Sequence, residues 1–214
     1  MKPILYGYWR SSAAYRLRIA LNLKGVEYDQ VAVNLKTGEQ LGEAWREIQP
    51  QALVPVLKYG ETALLQSPAI LEWIEETWPE PALLPADPAA RCRYRGWAAI
   101  IGCDIHPVQN LRILKAISND LGQGPEGMKA WAHRWTQSGL ASLETLVSSV
   151  ERDGPFLHGA APGMADVYLI PQMANARRWD VDLNAFPALL AADTAARTLP
   201  EFQRAAPENQ PDAE

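Results

Sequence analysis

The chain has 214 residues, of which 48% are hydrophobic and 21% charged, and its formal net charge at pH 7 is -5. This length and apolar share suffice for one or two compact hydrophobic cores. The acidic balance argues against general binding to nucleic acids or anionic membranes, because both partners attract a basic face. No apolar run approaches the roughly 20 residues of a membrane span, and the N-terminus lacks the apolar stretch of a signal peptide, so we expect a cytoplasmic protein.

Strand and helix signals alternate along the first part of the chain. Short apolar and aromatic runs predict strands, while apolar stripes of helical spacing, preceded by good capping residues such as Ser11 and Ser12, predict helices. The predicted elements are a strand at residues 4–9, a helix at 14–23 ended by Gly25, a strand at 28–35, a helix at 39–48, strands at 53–57 and 63–65, and a helix capped by Ser67 with Pro68 at its first position. This order predicts a small mixed sheet with helices on its faces.

Beyond a proline-rich connection only helices are predicted. Pro79, Pro81, Pro85 and Pro88 mark that connection. Helical spacing then recurs at residues 91–117, where Pro107 is expected to interrupt it, and at 125–150, 165–179 and 188–199. The predicted division is an α/β domain at residues 1–80, a linker at 81–90, an all-helical domain at 91–204 and a loosely ordered tail at 205–214.

Disulfide, dithiol and metal chemistry are not expected. Cys92 and Cys103 are the two cysteines, and their spacing along one predicted helix places them about 16 Å apart, too far for a disulfide. There is no Cys-x-x-Cys motif. The three histidines are scattered, and no cluster has the spacing of metal ligands, so we predict no metal site.

Three short segments carry groups suited to a small anionic or peptide-like ligand. A hydroxyl at Ser11 or Ser12, at the positive end of the first helix, can donate to an anion such as a thiolate, although either serine can also act only as a cap. A cis peptide before Pro55 would expose the backbone of Val54 to a peptide-like ligand. The helix start at Ser67 suits a carboxylate. In the predicted topology these segments lie at the same end of the sheet.

Residues 10–21, Arg-Ser-Ser-Ala-Ala-Tyr-Arg-Leu-Arg-Ile-Ala-Leu, are similar to the signature of zeta-class glutathione transferases. The resemblance continues almost end to end, through residues 54–55, 66–70, 165–166 and 175–179. Residues 103–107, Cys-Asp-Ile-His-Pro, most resemble bacterial maleylpyruvate isomerases, relatives of the maleylacetoacetate isomerases. Two positions depart from the family pattern. The signature cysteine is Ala13, which removes any protein thiol there, and no Ser or Thr caps the helix after Gly163, so Asp166 is expected to accept its backbone donors.

The resemblance implies a glutathione transferase fold, with a thioredoxin-like βαβαββα domain followed by a helical bundle, and a homodimer. It implies that glutathione is the cofactor and that a small anionic dicarboxylate is the substrate. The implied reaction is the cis–trans isomerisation of maleylpyruvate or maleylacetoacetate in the catabolism of aromatic compounds. It proceeds by thiolate addition, rotation about the resulting single bond and elimination, so glutathione is regenerated.

The resemblance also implies roles for individual residues. Ser11 is the first candidate to stabilise the thiolate and Ser12 the second, because a hydrogen bond and a helix N-terminus both lower the pKa of a thiol. Arg10 and Arg178 are the candidates to bind the substrate carboxylates. The candidates for binding glutathione are Gln66 and Ser67 at its γ-glutamyl end, Val54 at its cysteinyl backbone, Gln40 and Gln51 at its glycyl end, and His106, Gln109 and Asn110 from the helical domain.

Two other functions stay open at this stage. A general glutathione transferase that conjugates or dehalogenates small electrophiles would consume glutathione and depend little on the arginines. A non-catalytic binding module with a transferase-like fold would carry a degraded glutathione site. The joint presence of Ser11, Pro55, Gln66 and Ser67 argues against the second of these alternatives.

Overall fold

The computed structural model describes all 214 residues. Contacts divide the chain into two compact units. Residues Met1–Leu83 and Arg197–Glu214 form the first unit, and residues Leu84–Ala196 form the second.

The first unit has the predicted order of strands and helices. Its elements up to residue 77 are β1 (Ile4–Gly7), α1 (Ser12–Leu23), β2 (Asp29–Ala32), α2 (Glu43–Ile48), β3 (Val56–Tyr59), β4 (Thr62–Leu65) and α3 (Ser67–Thr77). A 3-10 turn at Glu39–Leu41 precedes α2, in place of one continuous helix. Gly25 follows the end of α1 with φ 64°, a left-handed conformation that glycine adopts without steric cost. The predicted βαβαββα fold is therefore confirmed.

The sheet has the strand order β2-β1-β3-β4. β1 runs parallel to β2 and antiparallel to β3, where Tyr6 pairs with Val56, and β3 runs antiparallel to β4, where Val56 pairs with Leu65. The end of β1, the start of β3 and the end of β4 consequently lie at one end of the sheet. The loops that adjoin these strand ends are the three segments that the sequence analysis expected to meet.

The third strand begins later than predicted. The Val54–Pro55 peptide is cis, and β3 starts immediately after it, at Val56. Proline has no N–H to donate to a sheet ladder, which explains why the strand excludes this residue. Trp45, Val33 and Val56 form a buried cluster beside Val54, so the loop lies against a packed hydrophobic surface.

The second unit is helical, as predicted. Its α-helices are α4 (Pro88–Ala99), α5 (Leu111–Lys115), α6 (Gly124–Ser148), α7 (Met164–Arg178) and α8 (Pro187–Ala196). The predicted helix at residues 91–117 is interrupted, because wide π-helical turns at Ile100–Ile105 and Ala116–Asp120 flank a 3-10 turn at Pro107–Gln109. No helix of the chain is both long enough and apolar enough to cross a membrane. Both cysteines are free, as expected.

The C-terminal segment differs from the prediction. Helix α9 (Pro200–Ala205) and the residues after it belong to the first unit, where α9 packs against α1. Asn22 Nδ2 donates to the carbonyl of Glu201 at 2.8 Å, and Arg18 Nε donates to the carbonyl of Ala205 at 2.8 Å. These bonds place the segment with the α/β unit, whereas the predicted helical domain extended to residue 204.

The last ten residues are also more structured than expected. Pro207–Asn209 form a 3-10 turn, and the side chain of Gln210 is buried. Gln210 Nε2 donates to the carbonyls of Arg204 and Ala206, at 2.9 and 2.7 Å. Proline and polar residues predicted a loose tail, but one buried amide with two backbone acceptors holds it in place.

Asp166 at the start of α7 replaces the missing hydroxyl cap. Its carboxylate is fully buried and accepts hydrogen bonds from the N–H groups of Gly163 and Leu157, both at 2.9 Å. Burial raises its pKa to about 6, although these backbone donors favour the charged form. A Cβ atom at residue 163 would overlap the imidazole ring of His158, so a Ser or Thr cap would not fit at this position.

His158 is expected to make the stability of the protein fall as the solution becomes acidic. Its ring stacks on Tyr94 with 3.7 Å between centroids, and burial lowers its pKa from 6.5 to about 4. The folded state therefore keeps the ring neutral, while the unfolded chain takes up a proton. The contribution of His158 to stability is complete above pH 6.5 and is lost progressively as the pH falls toward 4.

A His158→Phe variant, which retains an aromatic ring against Tyr94, tests this prediction by urea denaturation at pH 7 and pH 5. The free energy of unfolding of the wild type should fall by about 2 kcal/mol more than that of the variant over this interval. Identical pH dependence of the two proteins would contradict a neutral, buried His158.

Candidate active site

Three loops form the candidate site at one end of the sheet of the first unit. They are the turn after β1, the loop before β3 and the start of α3, and the strand register brings their ends together. A hydrogen bond from Gln66 Nε2 to Gln51 Oε1 joins the loop before β3 directly to the start of α3. Two of the predicted glutathione-binding residues are thus in contact.

Ser11 caps α1 and keeps a donor for a ligand. Its hydroxyl oxygen accepts a hydrogen bond from the N–H of Ala14 at 3.2 Å, which fixes the orientation of the side chain. A hydroxyl that accepts in this way still has its proton to donate. Ser12 is the first residue of α1, and its side chain makes no capping bond. The geometry favours Ser11 as the group that meets an anion at this helix N-terminus.

Arg10 lies in the turn that leads to Ser11. The N–H of Ser11 donates to the carbonyl of Tyr8 at 2.9 Å and closes this turn, which leaves the Arg10 side chain exposed. The guanidinium carbon of Arg10 lies 5.5 Å from the centroid of the Trp9 ring, a cation–π distance. A cation thus lies one residue from the candidate thiolate donor.

The start of α3 is strained and has no side-chain cap. Gln66 has φ 69° and ψ 111°, a conformation that costs a non-glycine residue roughly 1–3 kcal/mol and often occurs at ligand-binding sites. Ser67 was predicted to cap this helix, but the cap position is Gln66. The buried Ser67 hydroxyl instead accepts a hydrogen bond from Arg16 Nη1 at 3.4 Å. The hydroxyl proton of Ser67 therefore points away from Arg16 and can be donated to another group.

The remaining predicted residues of this unit lie on the two segments before β3. Trp45 Nε1 donates to the carbonyl of Leu53 at 3.2 Å, which fixes the chain immediately before Val54. The N–H of Gln51 donates to Gln49 Oε1 at 2.7 Å. Gln40 is 8% exposed, and its Oε1 atom has no hydrogen-bond partner, so it can accept a hydrogen bond from a bound molecule.

The helical unit holds the other predicted residues, of which Gln109 is the most buried. Gln109 is buried, its Nε2 donates to Gln172 Oε1 at 2.9 Å, and its Oε1 accepts from Thr136 at 3.2 Å. These bonds connect α6 and α7 within the helical unit and pair both ends of the Gln109 amide, while its role toward glutathione stays a prediction.

Asn110, His106 and Arg178 stay predictions. Asn110 caps α5 through its side-chain oxygen, and His106 ends the π-helical turn after α4. Arg178 is exposed at the end of α7, with its guanidinium carbon 5.4 Å from the ring centroid of Trp179. Its neighbour Arg177 forms an ion pair with Asp193, so its guanidinium already has a partner within the helical unit.

Two residues that support the site were not among those predicted from the sequence. Arg16 received no role from the sequence, yet it contacts Ser67. Asp212 was placed in a loose tail, yet its carboxylate accepts a hydrogen bond from the N–H of Trp9 at 2.9 Å, across 203 residues of sequence. Nothing local in the sequence could have revealed either contact, because each depends on elements that the fold brings together.

Comparisons with known proteins agree with this geometry. Residues 1–76 match the family model for the glutathione S-transferase N-terminal domain. A maleylpyruvate isomerase from Ralstonia sp is 47% identical over 209 residues, which cover 98% of this chain and 99% of that protein. The holo structure of a maleylpyruvate isomerase, described as a bacterial zeta-class glutathione S-transferase, has a TM-score of 0.97 and 47% identity, and covers 99% of this chain and all of that one.

A third relative is a maleylacetoacetate isomerase from Anaeromyxobacter dehalogenans, solved with dicarboxyethyl glutathione and citrate bound in its active site. It matches with a TM-score of 0.88 and 42% identity, over 100% of this chain and 94% of that chain. Sequence signature, domain match and full-length similarity agree. The chain belongs to the zeta-class glutathione transferase family that includes the maleylpyruvate and maleylacetoacetate isomerases.

Proposed function

We propose that this chain is a glutathione-dependent cis–trans isomerase that acts on maleylpyruvate or maleylacetoacetate. The observation that carries the proposal is the Ser11 hydroxyl, which caps α1 through its oxygen and keeps its proton for a thiolate. Full-length relatives at 47% identity carry the isomerase name, which supports the same reaction.

The residues of the first unit fit glutathione at several points. The uncapped, strained start of α3, with Ser67 oriented by Arg16, suits the carboxylate of the γ-glutamyl end. The backbone of Val54 precedes β3 and lies outside its paired residues, so it can pair with the cysteinyl backbone. At the glycyl end, the Gln40 Oε1 atom, which has no hydrogen-bond partner, is assigned to accept from the glycyl N–H, and Gln51 Nε2 to donate to the glycyl carboxylate.

When bound, glutathione supplies a thiolate that adds to the alkene of the substrate and leaves after rotation about the new single bond. Ser11 donates a hydrogen bond to this sulfur, and the N-terminus of α1 adds a favourable potential, so the ionised form is favoured at neutral pH. Arg10 holds a substrate carboxylate and offsets the negative charge that develops on the substrate. Ala13 leaves no protein thiol at the signature cysteine position, so the reaction needs none from the chain.

A ligand of one relative supports this chemistry. Dicarboxyethyl glutathione, bound in the maleylacetoacetate isomerase of Anaeromyxobacter dehalogenans, is the species expected when the glutathione thiol adds across a four-carbon unsaturated dicarboxylate. A site of this family that accepts both a thiol conjugate and a polycarboxylate is consistent with addition to an anionic alkene.

The proposal is tested by mixing the protein with maleylpyruvate, with and without glutathione, and following both the cis isomer and the free thiol. We expect rapid isomerisation that requires glutathione and leaves its concentration unchanged. Maleylacetoacetate, assayed in parallel, ranks the two substrates. Failure to convert either substrate, together with consumption of thiol by a model electrophile, would identify a conjugating transferase.

Substitution of either candidate arginine is expected to weaken binding of the substrate. Arg10→Met and Arg178→Met should each raise the KM for the dianionic substrate by about tenfold or more, because each removes a charge-assisted bond to a carboxylate. Conjugation of an uncharged electrophile by the same variants should change little. Arg134→Met is the matched control for Arg178, since Arg134 is also an exposed arginine of the helical unit whose guanidinium carbon lies near a tryptophan ring, at 5.6 Å from the centroid of Trp135. An unchanged KM would remove that arginine from the substrate site.

We also retain the homodimer and the cytoplasmic location as predictions that rest on the family resemblance. Analytical ultracentrifugation of the purified protein tests the first, and fractionation of the source cells tests the second.

A further inference from the structure

The turn that carries Arg10 and Ser11 is held from two sides through the backbone of one residue. The N–H of Trp9 donates to Asp212 Oδ2 at 2.9 Å, and the carbonyl of Trp9 accepts from Arg18 Nη2 at 2.9 Å. Trp9 is a central residue of the turn, where both backbone groups would ordinarily bond to water. Its two polar groups are instead bonded to a buried helix side chain and to the C-terminal segment.

The C-terminal segment is itself anchored along its length. Residues 205–214, which we name the C-terminal strap, begin at Ala205, whose carbonyl accepts from the same Arg18 at 2.8 Å. The buried Gln210 holds the middle of the strap through its bond to Ala206, and Glu214 forms an exposed ion pair with Lys36 at 2.5 Å. Asp212 lies between these two anchors, so the carboxylate that receives the Trp9 N–H is well positioned.

The charges of Asp212 and Arg18 are complementary. Arg18 is 1% exposed, and burial lowers its pKa to about 10, an effect that the nearby Asp212 carboxylate opposes. The guanidinium therefore remains charged at neutral pH. Because Arg18 offsets the charge of Asp212, the carboxylate can fix the turn without strongly opposing an anion at Ser11.

We propose that Asp212 is a positioning residue for the reaction, and that the C-terminal strap holds the turn at Trp9 so that Arg10 and Ser11 face glutathione and substrate correctly. The inference rests on the proposed function for the roles of Arg10 and Ser11. The contact between strap and turn stands independently of that function. Asp212 acts only through the turn and does not itself touch the reacting atoms.

The first test measures the turn directly, by hydrogen exchange of the Trp9 amide in the free protein. Asp212→Ala should raise its exchange rate by about tenfold or more, because the amide loses its acceptor. Asp212→Asn keeps an acceptor oxygen and should give an intermediate rate. Glu208→Ala is the matched control, since Glu208 is an exposed acid of the same strap that does not contact the turn, and it should leave the rate unchanged.

The second test measures catalysis with the same three variants. Asp212→Ala should lower kcat by about tenfold and raise the pH at which kcat/KM reaches its plateau, because a small misplacement of Ser11 weakens its bond to the thiolate. The KM for substrate should rise less than in Arg10→Met, because Arg10 keeps its charge, and Tm should fall by no more than about 4 °C. Asp212→Asn should restore most of kcat, and Glu208→Ala should match the wild type.

The outcomes separate the two proposals. An unchanged Trp9 exchange rate, or an unchanged kcat and pH profile, would overturn the positioning role. Loss of activity with accelerated exchange throughout β1 and α1 would also overturn it, because Asp212 would then serve only global stability. A wild type that isomerises neither substrate would refute the proposed function, while Trp9 exchange and the conjugation of a model electrophile would still test the strap.

Discussion

Replacement of Ser11 by alanine is expected to lower kcat/KM for isomerisation by about two to three powers of ten, the range observed when one preorganised donor to a reacting anion is removed. The hydroxyl of Ser11 is the candidate donor to the sulfur, and without it the apparent pKa of the bound thiol should rise. Steady-state kinetics over a range of pH and the ultraviolet absorbance of the bound thiolate measure the two effects.

Two further substitutions separate the chemical role of Ser11 from its role as a helix cap. Alanine at this position also removes the bond to the Ala14 N–H and should cost about 1 kcal/mol of stability. Ser11→Asp keeps that cap but cannot donate to an anion, so it should be stable and inactive. Ser11→Thr retains both functions and should retain most activity.

Ser12→Ala is the matched control, because Ser12 makes no capping bond and lies one residue further into α1. Its kcat/KM should change by no more than about threefold, since no reacting group depends on it. A large loss of kcat/KM in Ser12→Ala, together with an active Ser11→Ala, would identify Ser12 as the donor to the thiolate and contradict our assignment.

Asp166→Ala is expected to lower the free energy of unfolding by about 4 kcal/mol, the largest stability effect that we predict. The substitution leaves the N–H groups of Gly163 and Leu157 buried without an acceptor, and each such group costs about 1–3 kcal/mol. A loss of this size is a large part of the roughly 5–15 kcal/mol that stabilises a typical domain. Urea denaturation at pH 7 measures the change.

Asp182→Ala is the control for Asp166, because Asp182 also caps a helical turn but does so at the surface, where it accepts from the N–H of Asn184 at 3.0 Å. Its loss should cost about 1 kcal/mol or less. Equal losses of unfolding free energy in Asp166→Ala and Asp182→Ala would show that burial of the Asp166 carboxylate does not increase the stabilising effect of the cap.

Asp166→Asn tests the protonation of the same group. Because burial raises the pKa of Asp166 from 3.8 to about 6, its contribution to stability is largest below pH 3.8 and declines as the pH rises to about 6. The stability advantage of the wild type over Asp166→Asn should therefore grow by about 1 kcal/mol between pH 7 and pH 5. A constant advantage would contradict a raised pKa.

Much of the fold could be predicted because its signals are local. The alternation of strands and helices, the cap at Ser11, the end of α1 at Gly25 and the cap at Asp166 each depend on residues within a few positions of one another. Propensity, capping and apolar spacing act over that range, so the sequence by itself determined the βαβαββα order and the helical second unit.

Local signals also indicated most of the candidate site in the first unit. Ser11, Val54 and Gln66 lie on segments that the topology brings to one end of the sheet, and the structure places them there. The likeness of residues 10–21 to one family signature added the chemistry, since a serine at a helix start has a structural role in most proteins.

Only the tertiary structure decided how the site is supported. Ser67 accepts a hydrogen bond from Arg16 instead of capping α3, and Gln109 donates one to Gln172. Asp212 accepts a hydrogen bond from the N–H of Trp9 across 203 residues. Each partner is distant in sequence and is brought near by packing, and a polar side chain carries no signal of which distant group it will meet. The sequence therefore determined the elements and the reacting groups, whereas the packing of α1, α3 and the C-terminal segment determined which polar groups are paired and which remain for a ligand.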